Sequence, residues 1–253
     1  MIDLIKAKKA FQKYISHYDM EIPSIRLKVI HTYEVMKCSD ELCEKLNLSQ
    51  EEKNLASLIA LLHDIGRFEQ WMIYQSFADY KTIDHALFSS ELLFEKGLIR
   101  EFILDSKYDN IIKNAIEQHN RYQIEEGFDE KTLLFIHLIR DADKLDNFRV
   151  KDEEKIEDIL FASVDEVNQS SISLAVYEQM YNQQLVYGPN RKTYLDMWLS
   201  YIAFIYDLHF YESIQYIKEN HWIERSFDRF HPENEKTNQQ YQILKQKALD
   251  FVE

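Results

Sequence analysis

Glycine and proline are scarce in this chain, which has four Gly and three Pro among 253 residues. A protein of this length and average composition would carry about eighteen Gly and a dozen Pro. Sheets built from hairpins need glycine-bearing turns, and a dinucleotide-binding fold needs a glycine-rich first loop, so both are disfavoured. Hydrophobic residues make up 45% of the chain, which is typical of a soluble globular protein. The composition therefore predicts an all-α fold.

Hydrophobic periodicity supports helices along most of the chain. Across residues 24–46, apolar positions recur at spacings of three and four, as they do on one face of a helix. A capping box at residues 49–52 precedes an almost wholly apolar helix, which we expect to end at Gly66. An aromatic-rich loop is expected over residues 68–80. Because no convincing linker divides the chain, we predict a single all-α domain over residues 1–253.

The charge balance and the cysteines narrow the class of protein. The formal net charge is −14, opposite in sign to that of a typical binder of nucleic acid polymers. Cys38 and Cys43 have neither zinc-knuckle nor redox spacing, so we expect two reduced core thiols. The N-terminal segment does not resemble a signal peptide, and the longest uncharged aromatic run is too short to cross a bilayer. These features predict a cytoplasmic protein with no membrane partner.

The adjacent pair His63-Asp64 is the strongest local signal for chemistry. Neighbouring residues on a helix point about 100° apart, so both can bind one ion only if that ion sits at the helix end. An imidazole and a carboxylate together suit divalent transition metals. By itself the pair is a weak signal, because His-Asp also occurs by chance at an ordinary helix end at the surface.

Four further polar residues fall at positions that should face the core. His31 interrupts the apolar face of its helix, and Asp143 continues an apolar stripe. Burying an unpaired carboxylate costs several kcal/mol, so Asp143 needs a partner, which could be a cationic side chain or a metal ion. His85 and His119 lie near helix ends on predicted inner faces. Each residue alone has a structural explanation, but together with His63-Asp64 they favour a metal centre.

The order His31, His63-Asp64 and Asp143 resembles that of the HD-domain superfamily of metal-dependent phosphohydrolases. The segment LLHDIG at 61–66 is similar to the signature helix end of the family. The segment IRDADKLDNF at 139–148 looks like its final ligand motif. The resemblance covers about residues 20–150, which we take as an HD-like core. Residues 151–253 are expected to add further helices.

The resemblance implies a set of ligands that holds one or two divalent metal ions. The metal could be Mn, Fe, Co, Ni, Zn or Mg. The implied ligands are His31, His63, Asp64, Asp143, His85 and His119. The last two histidines resemble the pair that holds a second ion in binuclear members, and Asp64 can bridge the two ions. Asp64 and Asp143 are also implied to be catalytic. The resemblance favours Asp143 over Asp141 as the ligand, and the role of Asp141 is left open.

Cations beside the ligand segments are expected to bind a phosphate. Arg67 follows the HDIG motif, Arg121 follows His119-Asn120, and Lys144 follows Asp143. We predict that Arg67, Arg121, Lys144 and Asn120 contact the substrate and that Lys144 also takes part in catalysis. For each cation, the alternative is a solvated charge on the surface.

The resemblance implies a metal-dependent phosphohydrolase that acts on a small phosphate ester or a nucleotide. Metal-bound hydroxide would attack phosphorus in such an enzyme. Two alternatives stay open. One is an HD-type di-iron oxygenase, and the other is a catalytically silent sensor that binds metal or nucleotide. The identity of the substrate and the formation of a homodimer are also left open.

Overall fold

The computed structural model describes residues 2–253, and this part of the chain is helical with no β-strand. The predicted all-α fold is therefore confirmed. Packing divides the chain into two compact units, one ending at Asp143 and the other beginning at Lys144. The single domain, the core at 20–150 and the added helices at 151–253 stay predictions. Among residues 2–253, none of the helices has both the length and the apolar content needed to cross a bilayer.

The first unit consists of helices α1 to α7 and the first part of α8. Their bounds are α1 Leu4–Ile15, α2 Pro23–Lys45, α3 Gln50–Leu62, α4 Gly66–Tyr74, α5 His85–Ser90, α6 Ile99–Phe102, α7 Asp109–Gln118 and α8 Glu130–Glu153. A 3-10 turn, Asp79–Lys81, precedes α5, and a π-helical turn, Glu91–Glu95, follows it.

Helix α3 is the central helix of the first unit. It begins with the predicted capping box, in which Ser49 and Glu52 bond each other's backbone N–H groups. Every residue from Leu55 to Leu62 is buried, as expected of a helix that is apolar on all sides. It packs against α1, α2 and α7. The end of α3 is therefore held rigidly inside the unit.

Gly66 does not end a helix, so that prediction is wrong. Helix α3 ends at Leu62, and Gly66 is the first residue of α4. A Cβ atom at Gly66 would lie 2.8 Å from both the backbone N and the Oγ of Ser89 in α5. Glycine is needed here because α4 and α5 approach closely. The loop expected over residues 68–80 is correspondingly shorter, since α4 extends to Tyr74.

The second unit contains the rest of α8 and seven further helices among the described residues. Their bounds are α9 Ile156–Leu160, α10 Val164–Gln169, α11 Leu174–Tyr181, α12 Tyr194–Ile202, α13 Tyr211–Glu219, α14 Trp222–Asp228 and α15 Glu235–Val252. Two 3-10 turns, Gly188–Asn190 and Ala203–Asp207, lie on either side of α12.

Candidate metal centre

The structure brings the six predicted ligands together within the first unit. His31 lies within α2, His63 and Asp64 follow α3, His85 begins α5, His119 follows α7, and Asp143 lies on α8. The four histidines and Asp64 are buried, whereas 20% of the Asp143 side chain is exposed to solvent. Five helices thus contribute to one cluster.

The two carboxylate oxygens of Asp64 face different histidine pairs. Oδ2 lies 3.8 Å from His31 Nε2 and 3.7 Å from His63 Nε2. Oδ1 lies 3.3 Å from His85 Nε2 and 3.8 Å from His119 Nε2. A carboxylate placed in this way can bind a different ion with each oxygen.

Asp143 completes one side of the cluster. Its Oδ1 lies 3.0 Å from His31 Nε2 and 3.9 Å from His63 Nε2. The first half-site therefore consists of His31, His63, Asp143 and Asp64 Oδ2. The second half-site consists of Asp64 Oδ1, His85 and His119. In each half-site, the two histidines and Asp64 offer donor atoms within 4.8 Å of one another.

Backbone carbonyls set the tautomers of two of the histidines. The Nδ1–H of His63 donates to the Ala60 carbonyl at 2.8 Å, and that of His119 donates to the Ile116 carbonyl at 2.6 Å. Carbonyl oxygens only accept hydrogen bonds, so Nδ1 carries the proton in both rings. Each Nε2 therefore presents a lone pair to the cluster, as a metal ligand must.

A carboxylate performs the same task for His85. Its Nδ1–H donates to Asp79 Oδ2 at 2.5 Å, while its Nε2 lies 3.0 Å from His119 Nε2. Two imidazole lone pairs at this distance repel each other unless a proton or a metal cation lies between them. The contact between the two rings therefore favours a cation in the second half-site.

Two buried polar atoms support the same interpretation. Within residues 2–253, His63 Nε2 and Asp64 Oδ1 are both buried and neither makes a hydrogen bond. Leaving a buried donor or acceptor unsatisfied costs about 1–3 kcal/mol, so such atoms need a partner. A divalent ion in the first half-site would provide a partner for His63 Nε2, and one in the second half-site would provide a partner for Asp64 Oδ1. The nitrogen and carboxylate donors of the cluster suit a divalent transition metal.

The pKa shifts keep these groups in the protonation states that bind metal. Burial lowers the pKa of His63, and burial together with the neighbouring His85 and His63 lowers the pKa of His119 well below its ordinary value. Burial by itself raises the pKa of Asp64, but Lys28 and the adjacent histidines outweigh it and lower that pKa well below the ordinary range. At neutral pH the two imidazoles are therefore neutral and the carboxyl is ionised.

Arg67, a predicted phosphate-binding residue, lies beside the second half-site. Its Nε is 3.7 Å from Asp64 Oδ1 and, among the described residues, makes no hydrogen bond. Its Nη1 donates to Gln70 Oε1, the Phe77 carbonyl and Asp79 Oδ1 at 2.7–2.8 Å. The guanidinium is thus fixed, with its Nε–H available near Asp64.

The other predicted substrate contacts have partners outside the six-residue cluster. Asp84 accepts hydrogen bonds from Asn120 Nδ2 at 3.0 Å and from Arg121 Nη1 at 3.1 Å, so both side chains are held beside the start of α5. Within the second unit, the Lys144 ammonium lies 2.8 Å from Asp207 Oδ2. The catalytic and phosphate-binding roles given to Lys144 stay predictions.

Lys28 belongs to the cluster and was missed by the sequence analysis. Its ammonium lies 2.8 Å from Asp64 Oδ2, and the side chain keeps 20% of its exposure. The residue precedes His31 by three positions on α2, so both lie on the same helix face. That spacing was the signal that could have identified it.

Arg140 stabilises the backbone next to His119, and the sequence analysis did not identify it. This buried guanidinium donates to the carbonyls of Gln118 and Arg121, both at 2.7 Å. These carbonyls flank His119 at the end of α7, where helix carbonyls lack partners within the helix. Arg140 therefore holds the backbone that positions the His119 ring.

Only part of the aromatic segment after the HDIG motif lies near the cluster. Phe68 is buried and packs edge-on against Phe11. Phe77 instead lies near two cations, with its ring centroid 5.6 Å from Lys28 Nζ and 5.7 Å from Arg67 Cζ. Its ring therefore contacts both of the cations that lie beside Asp64.

Comparison with known families agrees with this geometry. The HD domain family model matches residues 29–148. These residues therefore belong to the HD-domain superfamily, and the resemblance drawn from the motifs is confirmed. The superfamily is one of metal-dependent hydrolases whose domains bind divalent metals. No curated protein and no solved structure matches the chain at a significant level.

Proposed function

We propose that this protein is a phosphohydrolase that uses two divalent metal ions and acts on a small phosphate ester or a nucleotide. The division of the Asp64 oxygens between two histidine pairs carries the proposal. His31, His63 and Asp143 would hold one ion, and His85 and His119 the other, with Asp64 shared between them. When bound, divalent ions at this cluster supply Lewis acidity to the phosphoryl group and to water.

The residues around Asp64 support a phosphate rather than an uncharged substrate. Lys28 Nζ approaches Asp64 Oδ2, and Arg67 Nε approaches Asp64 Oδ1, so a cation stands beside each half-site. An Arg donor and a Lys ammonium are common partners of phosphate oxygens. Two cations therefore lie close to this carboxylate, although the chain as a whole has a net charge of −14.

Lys28 and Asp143 are the more exposed groups of the first half-site. The side chains of Lys28 and Asp143 each keep 20% of their exposure, whereas those of His63 and Asp64 keep 0% and 5%. A phosphate ester entering here would meet Lys28 first. The rest of the substrate would stay nearer the surface.

Phosphate release from a panel of phosphomonoesters and nucleotides tests the proposal. The purified chain, supplied with Mn²⁺ or Co²⁺, should hydrolyse at least one class of ester. His63→Ala should abolish this release. The control His17→Ala should retain it, because His17 is exposed and its ring contacts only the Tyr14 carbonyl nearby.

Two results would contradict a phosphohydrolase. Tight binding of nucleotide or metal without turnover of any ester would indicate a sensor. Stoichiometric iron together with consumption of dioxygen would indicate an HD-type oxygenase.

A further inference from the structure

Asp79 lies outside the implied ligand set but contacts two of the groups on which the proposed function depends. Its Oδ2 accepts a hydrogen bond from His85 Nδ1 at 2.5 Å. Its Oδ1 accepts one from Arg67 Nη1 at 2.7 Å. One carboxylate therefore joins a histidine of the second half-site to the arginine beside Asp64.

We infer that Asp79 is a positioning residue that orients His85 toward an ion in the second half-site and Arg67 toward the substrate phosphate. The inference rests on the proposed two-ion function. A carboxylate that accepts from the Nδ1–H of a ligand histidine fixes the tautomer, orients the ring and raises the basicity of the other nitrogen. Because Asp79 uses a different oxygen for each partner, it can serve His85 and Arg67 at the same time.

Gln70 holds the Asp79 carboxylate in place. This fully buried amide donates from Nε2 to Asp79 Oδ1 at 3.0 Å and to the Ile83 carbonyl at 3.0 Å. Its Oε1 accepts from Arg67 Nη1 at 2.8 Å. Gln70 therefore ties α4 to the segment that carries Asp79, so that the geometry exists before any ligand arrives.

The surroundings of Asp79 favour positioning over direct ligation. Asp79, Asp84 and His85 offer donor atoms within 4.8 Å of one another, so they could form a third metal group. However, Asp79 is paired with Arg67, and Asp84 is paired with Arg121. A metal ion between these carboxylates would have to compete with two guanidinium groups that already neutralise them.

Titration of the protein with Mn²⁺ in a calorimeter tests the inference without an activity assay. Wild-type protein should bind two ions. In Asp79→Ala, the affinity for one ion should fall by about tenfold to a hundredfold, the range expected when a partner of a ligand histidine is lost, while the other ion is unaffected. Asp79→Asn should be intermediate, because its amide oxygen can still accept from His85. Binding of inorganic phosphate to the loaded protein should weaken in Asp79→Ala, since Arg67 Nη1 loses the charged one of its three acceptors.

Asp84→Asn is the matched control. This variant also removes one negative charge, from the residue next to His85. Asp84 accepts hydrogen bonds from backbone N–H groups of α5 and from Asn120 and Arg121, whereas Asp79 accepts one from the His85 ring. Asparagine caps helices about as well as aspartate does, so α5 should remain intact. This control should bind two ions with affinities like those of the wild type.

The results separate the inference from the proposed function. If wild-type protein binds two ions and Asp79→Ala binds both with unchanged affinity, the inference is wrong and the two-ion function stands. Equal losses in Asp79→Ala and Asp84→Asn would also overturn it, because they would indicate a general effect of charge. If wild-type protein binds fewer than two ions, the proposed two-ion function fails and the inference fails with it.

Discussion

His85 Nε2 and His119 Nε2 lie 3.0 Å apart, and the Nδ1 atom of each ring already has an acceptor. The two lone pairs therefore meet at a distance that is favourable only when a cation separates them. His63 Nε2 is also buried and makes no hydrogen bond among the described residues. The interior of the first unit is thus arranged for positive charge that the side chains alone do not supply.

The charge of Lys28 should oppose metal binding and favour binding of the phosphate. Its ammonium lies 2.8 Å from Asp64 Oδ2, the oxygen that would bind the ion of the first half-site. Two like unit charges about 4 Å apart, such as the ammonium and a metal cation, repel by about 4 kcal/mol at an effective dielectric constant near 20. We therefore expect Lys28→Met to raise Mn²⁺ affinity, measured by titration, while raising the KM for the phosphate ester. Lys28→Arg, which keeps the charge, is the control. A loss of Mn²⁺ affinity in Lys28→Met would show that the ammonium orients Asp64 instead of competing for it.

The close approach at Gly66 should make this position intolerant of any side chain. In Gly66→Ala the new methyl group would meet the Ser89 backbone, which cannot move away as a flexible side chain could. We expect a loss of about 1–3 kcal/mol in the free energy of unfolding, the usual cost of overpacking. Gly188→Ala is the control, because its nearest neighbour is the flexible Arg191 guanidinium at 3.1 Å. Urea unfolding that gives equal stability for both variants would contradict the packing described for α4 and α5.

The position of Gly66 shows where prediction from sequence fails. A glycine after a long apolar run is a common helix end, and only the local pattern was available. The true requirement comes from Ser89 in another helix, which no local pattern contains. The all-α class and the capping of α3 were predictable because they depend on composition and on residues three apart.

The clustering of the six candidate ligands was predictable to a similar degree. The six implied ligands could be identified as polar residues at core-facing positions of the sequence. The structure brings all six together. Asp79 begins a 3-10 turn that is too short to show hydrophobic periodicity, so its contact with His85 could not be read from the local sequence. The same holds for Lys144, whose pairing with Asp207 joins residues far apart in the sequence.

Neutral His119 should make the metal-free protein sensitive to acid. Burial lowers the pKa of His119 below the ordinary value of 6.5, so the unfolded chain binds more protons than the folded one just below that pH. The free energy of unfolding then falls as the pH falls below that value. We expect wild-type protein to lose stability relative to His119→Gln between about pH 7 and about pH 5, measured by urea unfolding with a chelator present. Parallel pH profiles for the two proteins would contradict a buried neutral imidazole.

Asp143 and Asp141 should contribute differently to metal binding. The Asp143 carboxylate lies 3.0 Å from His31 Nε2, and the two aspartates point about 200° apart on α8. We expect Asp143→Asn to lower Mn²⁺ affinity by at least about tenfold, because a direct carboxylate ligand is lost. Asp141→Asn should lower it less. The reverse order of affinities would show that Asp141 is the ligand.

Counting the Mn²⁺ ions bound per chain shows whether Asp64 joins two half-sites. Equilibrium dialysis with elemental analysis should find two ions in wild-type protein and one in either His31→Ala or His85→Ala, since each variant damages one half-site. Asp64→Ala should bind neither ion tightly, because both half-sites lose an oxygen ligand. If Asp64→Ala keeps two ions, or if His85→Ala has the same stoichiometry as wild-type protein, the shared carboxylate does not organise the site.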